Sequence, residues 1–430
     1  MIEEIKKRCK DQGIQIGFSE DIGIFKKKKA LGRFELENTL AVLPMEGNDS
    51  EESGAPSELT FRRYRRFAQG GAALIWVEAI AVQKAGRASP HQLYLDNQTQ
   101  EAFAKLCAMI KREGLDKNGF EPVVIAQLTH SGRYSKPQGP PSPIIAARNP
   151  WLDEKYNIPK TLSPINDESL LELEKKFFNA ALLAKQAGFD GIDIKMCHGY
   201  LLNELLSAFT RKGDFGGSYQ GRTRFARDTV KNIREKTGEG FIIGSRMSLF
   251  DAMPYPYGFG MTQDGTVKSD LTEPVKLIME LSQLGLDVAA ITIGNPYYKP
   301  HYNRPYDKGF YEPPEPALKG VERILTLTKN VKEQTKDVLI IGAGYTYLRE
   351  AATEAGAYAL QNNYADLIGF GRQAFAYPDF ASDIVKNGCL DTKKVCITCS
   401  KCTEIMRKGG PTGCAIRDFK YREIYKEYCL

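Results

Sequence analysis

The chain has no run of 18 apolar residues, so no membrane-spanning helix is expected. Its amino terminus, MIEEIKKRCKDQG, is charged and lacks the apolar stretch of a secretory leader. No long block of Lys and Arg stands out. The 59 basic and 53 acidic residues leave a net charge of +6, too mild and too dispersed to make nucleic acid the main partner. A G-x-G-x-x-G turn after the first strand, the mark of an open dinucleotide-binding sheet, is missing as well, because the first candidate strand ends LPMEGND. These absences point to a cytoplasmic protein that acts on small molecules.

What is present is a large apolar fraction, 42% of 430 residues, ample for a core. Eight runs rich in Val and Ile recur along the chain: 39–45, 73–82, 122–130, 188–195, 241–248, 288–294, 338–344 and 365–372. They are nearly continuously apolar, as parallel strands covered on both faces are. Helical patterns lie between them. In SLLELEKKFFNAALLAKQAG the apolar positions recur at three and four, with Ser169 as the expected N-cap and Gly188 as the stop. Eight strands alternating with helices predict a closed (β/α)8 TIM barrel. The expected division is a barrel over residues 1–390, with an N-terminal hairpin, and a short Cys-rich extension over 391–430. Loops at 133–150 and 295–315, rich in Pro and Gly, are expected to lie over the mouth.

Polar residues stand at the C-terminal ends of these runs: Glu46, Glu78, Gln127, His130, Lys195, His198, Arg246 and Arg372. On a barrel those ends converge. The stretch GFDGIDIKMCHGY delivers Lys195, His198 and Tyr200 within six positions. Arg246 interrupts an apolar strand, and a buried Arg calls for an anion. Gly342, Gly344, Gly369 and Gly371 close the last two strands and suit a phosphate cradle of backbone N–H groups, with Arg372 as a charged fork.

Four of the nine cysteines crowd the tail as Cys396-x2-Cys399-x2-Cys402-x11-Cys414. Three closely spaced thiols and a distant fourth suit a 4Fe–4S cluster. Zinc is the alternative, but structural zinc sites usually pair two C-x2-C knuckles. Cys9, Cys107, Cys197, Cys389 and Cys429 read as free thiols without a role.

The segments LENTLAVLPM, VEAIAV, AQLTHSGRYS, GFDGIDIKMCHGYLLNELLS, FGGSYQGRTRF, GSRMS and ADLIGFGR together resemble the old yellow enzyme family of FMN-dependent ene-reductases. Within it the chain is most similar to the branch of bacterial 2,4-dienoyl-CoA reductase and trimethylamine dehydrogenase, which carries a similar Cys set after its barrel. The resemblance implies a non-covalent FMN in the mouth. Pro44, Met45 and Glu46 would line the flavin's pyrimidine side, with Ala79 near the ring. Gln127 and Arg246 would bond its polar edge, and Gly344, Gly371 and Arg372 would hold its phosphate.

The implied reaction reduces the C=C bond of an α,β-unsaturated carbonyl compound, with electrons from NAD(P)H or a partner protein. Where the family has a His-x-x-His or His-x-x-Asn pair gripping the carbonyl, this chain has Lys195 and His198. Tyr200 matches the family's proton donor, with Tyr298 and His301 as reserves. Glu46 replaces the usual Thr or Cys near the flavin C4 carbonyl. The alternatives are an amine dehydrogenase of the trimethylamine type and a non-catalytic FMN and iron–sulfur relay. The sequence leaves the oligomeric state open.

Overall fold

Alternation within each strand decides which side chains enter the barrel. In the second barrel strand Leu74 and Trp76 join the inner cluster, while Ile75 and Val77 face the helices. The computed structural model describes every residue except Met1, Lys308 and Phe310. An antiparallel hairpin, β1 (Lys29–Leu31) and β2 (Phe34–Leu36), comes first. The barrel strands follow: β3 (Leu40–Val42), β4 (Leu74–Ala81), β5 (Val123–Thr129), β6 (Gly191–Ile194), β7 (Ile242–Ser248), β8 (Val288–Thr292), β9 (Leu339–Gly342) and β10 (Leu367–Phe370). All eight fall within the runs expected from the sequence. They pair in parallel in chain order, and β10 closes on β3 with Ile368 opposite Leu40.

Leu31 and Leu36 of the hairpin pack with Leu74, Val123, Ile242, Val288 and Leu367, residues at the starts of the strands. The hairpin therefore seals the bottom of the barrel and leaves chemistry to the top. Between β5 and β6 the helix Asp167–Gln186 forms where its periodicity places it. Its cap is Asn166, which accepts from the Ser169 N–H at 2.8 Å, and not Ser169 itself. Asp167, Glu168 and Ser169 extend the helix three residues further toward its N-terminus than the apolar pattern shows, which moves the cap back to Asn166. Gly188 ends the segment at φ +87°.

Past the barrel, the extension folds as two short helices, Lys401–Arg407 and Phe419–Cys429. Ile405, Ala415, Tyr421 and Ile424 form a small core between them. Asp418 anchors this unit to the barrel helix Glu58–Gln69, accepting from Arg62 at 2.8 and 3.0 Å and from Arg66. Among the described residues no helix is long and apolar enough to cross a membrane.

Candidate active site

At the floor of the mouth, Asp193 of β6 is fully buried and organises its neighbours. It accepts from Trp76 Nε1 at 2.9 Å, from Gln127 Nε2, and from the Arg246 backbone N–H at 2.7 Å. Burial pushes its carboxyl up to about 6. The Arg246 side chain crosses to the segment that follows β3, where Nη1 donates to the Pro44 carbonyl at 2.8 Å. Its Nε is buried without a partner among the described residues.

Above this floor opens a cleft of about 1410 Å³, counting the part continuous with solvent. Pro44, Met45, Glu46, Gln127, Lys195, His198, Tyr200, Arg246, Gly344, Gly371 and Arg372 all line it. At one end, Glu46 Oε1 accepts from two donors, Tyr200 OH at 2.7 Å and Lys195 Nζ at 3.1 Å. Nζ also stands 3.8 Å from the centroid of the Tyr200 ring, a cation–π distance. Burial, and then the Glu46 charge, hold the Tyr200 hydroxyl well above the usual phenol range. Tyr297 OH lies 3.4 Å from Tyr200 OH, and its ring stacks on Tyr134 with centroids 3.6 Å apart.

The turn after β6 makes this geometry possible. His198 adopts φ +66° and Gly199 φ +69°, and a Cβ on Gly199 would collide with Asn295 Nδ2. His198 Nε2 faces Asn303 Nδ2 at 3.1 Å. Burial, followed by the cations Arg246, Lys195 and Arg304, holds the imidazole neutral, well below its usual range. Asn303 Nδ2 also donates to the Ile293 carbonyl, a pure acceptor, so it is the donor toward His198. The proton of the neutral ring then sits on Nδ1.

Elsewhere along the cleft two guanidinium groups are only partly satisfied, although Arg304 Nη1 donates to Thr403 Oγ1. Arg372 Nη1 and Arg304 Nε are buried with no hydrogen-bond partner among the described residues. Burial and then the neighbouring Arg372 push Arg304 down to about 10. Gly344 has φ +98°, and a Cβ on Gly371 would meet Met45 Sδ at 2.9 Å. Two adjacent guanidinium groups with orphaned N–H bonds beside exposed backbone suit a phosphate. The flavin that the family resemblance implies therefore fits this cleft.

Several expected residues lie elsewhere. Ala79 is buried in β4, with its carbonyl taken by Gln92 Nε2 at 3.1 Å, and is not among the lining residues. The register shift between Val77 and Ile80 falls at this point. Glu78 turns to Arg63 and the Gly47 N–H. His130 packs on Gly86 and accepts from the Gly132 N–H at 3.1 Å, and burial pushes it down to about 4. Neither Tyr298 nor His301 lines the cleft; His301 bonds Tyr311 and Tyr298 packs near Trp151. Tyr297, Asn303, Arg304 and Thr412 do line it, and sequence reasoning missed them. The doubled tyrosine in NPYY was the available signal, but strand periodicity does not extend into that loop.

Cys396, Cys399, Cys402 and Cys414 line a second, smaller pocket together with Arg372. The Thr398 N–H faces Cys396 Sγ and the Arg417 N–H faces Cys414 Sγ, each at 3.4 Å. The pocket gathers the thiols without closing them: among the described residues no group of three or more His, Cys, Asp or Glu is ready to hold a metal ion. Cys402 and Arg372 belong to both pockets.

The chain is similar to known proteins. The chain is 35% identical over 204 residues to an NADPH dehydrogenase of Bacillus pumilus, covering 46% of this chain and 56% of that enzyme. It therefore spans little more than half the length of that relative. Against an NADPH dehydrogenase of Bacillus velezensis it is 28% identical over 355 residues, 82% of this chain and 91% of the relative. A 2-naphthoyl-CoA reductase in complex with 2-naphthoyl-CoA superposes with a TM-score of 0.74 at 18% identity, covering 95% of this chain and 58% of that one, a likeness of fold. Residues 29–390 match the model of a single family from the hairpin to the end of the barrel, and the chain belongs to that family, the NADH:flavin oxidoreductase / NADH oxidase family, or old yellow enzyme family.

Proposed function

We propose that the protein is an FMN-dependent oxidoreductase that reduces the C=C bond of an α,β-unsaturated carbonyl compound, with electrons from NAD(P)H or a partner protein. The observation that carries this reading is the meeting of Lys195, Tyr200 and Glu46 beside a neutral His198. FMN, when bound, supplies the hydride for the β-carbon. The chain's residues do the rest. His198 offers its Nδ1–H to the carbonyl oxygen. Lys195 spends one N–H on Glu46 and keeps two others for the same oxygen. Charge developing on that oxygen is thus met by donors already in place.

Tyr200 stays protonated at neutral pH and gives its proton to the α-carbon. The phenolate left behind lies under the Lys195 charge until solvent restores the proton. The stacked Tyr134 and Tyr297 form an apolar wall at this end and keep water off the reacting face. Amine oxidation is the second reading, since tyrosines surround the Glu46 carboxylate. Lys195 neutralises that carboxylate, and Arg246, Arg304 and Arg372 line the same cleft, which disfavours a cationic substrate. A bare electron relay does not need the set around Tyr200.

We assign FMN to the barrel of residues 1–390 and a 4Fe–4S cluster to the extension of 391–430, in the manner of the dienoyl-CoA reductase branch. The thiols share one pocket and accept backbone N–H bonds at two sulfurs, which supports this assignment. Two residues common to both pockets support electron passage between them. We place the protein in the cytoplasm.

The test is anaerobic purification, flavin and metal analysis, and turnover of an enone panel with NADH and NADPH, run beside amines with an artificial acceptor. Flavin, about four irons per chain and enone turnover are expected. Amine turnover without enone turnover would sink the reductase reading, and zinc without iron would sink the cluster.

A further inference from the structure

Glu46 is held by a segment that belongs to two bodies at once. On one side, the Gly47 N–H donates to Glu78, which is itself paired with Arg63. On the other, the loop 409–412 of the extension grips the same segment. The Thr412 N–H donates to the Gly47 carbonyl at 2.6 Å. Asn48 Nδ2 donates to the carbonyls of Gly409 and Gly410 at 2.9 and 3.0 Å. Asn48 sits at φ +49°, a conformation Asn tolerates better than most residues, and Ser89 Oγ fixes its Oδ1. The gripping loop lies in the chain between Cys402 and Cys414. The Gly410 N–H closes it onto Ile405, on the helix that carries Cys402.

We propose that the extension is a positioning device for the barrel: Asn48 and the 409–412 loop set the Glu46 carboxylate so that one oxygen serves both Lys195 and Tyr200, and the state of the four cysteines is thereby felt at the proton donor. This rests on the role given above to Glu46, Lys195 and Tyr200. It assigns the cysteine unit a task separate from electron transfer. Distorting the Cys402–Cys414 segment would shift the Gly47 peptide and loosen the Glu46–Tyr200 hydrogen bond, even when the flavin already carries its electrons.

The experiment uses holoenzyme whose FMN has been chemically reduced beforehand, mixed anaerobically with 2-cyclohexen-1-one, so that no relay is needed. Asn48→Gly and Asn48→Asp both remove the two donated bonds while keeping the backbone conformation. Each is expected to slow FMN reoxidation about five- to tenfold, the worth of one or two hydrogen bonds, and to leave FMN reduction by NAD(P)H and FMN content unchanged. In a Glu46→Gln background the Asn48 changes should add nothing, because their effect passes through Glu46.

A readout independent of turnover is amide hydrogen exchange. Protection of residues 46–49 should drop in Cys414→Ser, while β6 stays protected. Unchanged protection of 46–49 in that variant overturns the proposal. A slowed Glu46→Gln enzyme on which Asn48→Gly acts additively overturns it too, and leaves the reading of the site standing. An unaffected Glu46→Gln enzyme removes both.

Discussion

The two ends of the cleft treat charge in opposite ways. Near Tyr200, Glu46 accepts hydrogen bonds from two donors of the chain itself. Near Gly371, Arg304 and Arg372 stand together with buried N–H groups that no described residue accepts. A buried guanidinium with an unsatisfied N–H is costly, so that end makes physical sense as the seat of an anion. The difference supports the roles proposed for them: a proton held in a fixed place at one, a phosphate gripped at the other.

The sharpest way to break this comparison is Tyr200→Phe. Reduction of FMN by NAD(P)H should stay nearly constant, while reoxidation by an enone slows by about 10²- to 10⁴-fold, the usual loss for a positioned acid. Stopped-flow absorbance separates the two half-reactions, and a loss below about tenfold would move the proton to another donor, Tyr297 first among them. A smaller effect is expected at the phosphate end. Arg372→Ala should weaken FMN binding roughly 10- to 100-fold, the worth of a charge-assisted hydrogen bond to phosphate. Riboflavin, which has no phosphate, should lose little in the same flavin-fluorescence titration. Equal losses for both ligands would mean that Arg372 does not meet the phosphate.

Lys195→Ala comes next. It should slow the substrate step about tenfold and leave FMN affinity alone, with Lys195→His recovering part of the rate. Unchanged oxidative kinetics would show that Lys195 only neutralises Glu46. The smallest test lies outside both ends. His130 is pushed from the ordinary 6.5 down to about 4 by burial. As the pH falls through 6.5 the unfolded chain takes up a proton that the folded chain refuses, so stability is lost toward acid, by roughly 1 kcal/mol at about pH 5.5. His130→Gln should flatten the fall in denaturation midpoint relative to the parent chain. Glu78, pushed up to about 7, acts in the opposite sense in both proteins and cancels in the difference.

How much of this could be read in advance differs by element. The eight barrel strands were legible because a strand buried on both faces is a short apolar run, a pattern local to a few residues. The helix between β5 and β6 was legible in its periodicity and not in its cap, because Asn166 lies outside the apolar repeat. Gln127, Arg246 and Arg372 were legible because a polar residue ending an apolar strand of a barrel can hardly avoid the mouth. Ala79 was not, since the irregularity in β4 that turns Glu78 away depends on the neighbouring strand.

The sequence by itself determined the barrel, the strand ends that converge and the four cysteines that gather after it, because periodicity and residue chemistry act over a few positions. Only the tertiary structure decided that Lys195 meets Glu46, 149 residues away in the chain. The same holds for Tyr297 facing the cleft in place of Tyr298, and for the tail forming part of the cleft wall. These contacts depend on closing β10 onto β3 and on the paths of the loops above the barrel. No local pattern carries that information, because the partners become neighbours only when the whole sheet has closed.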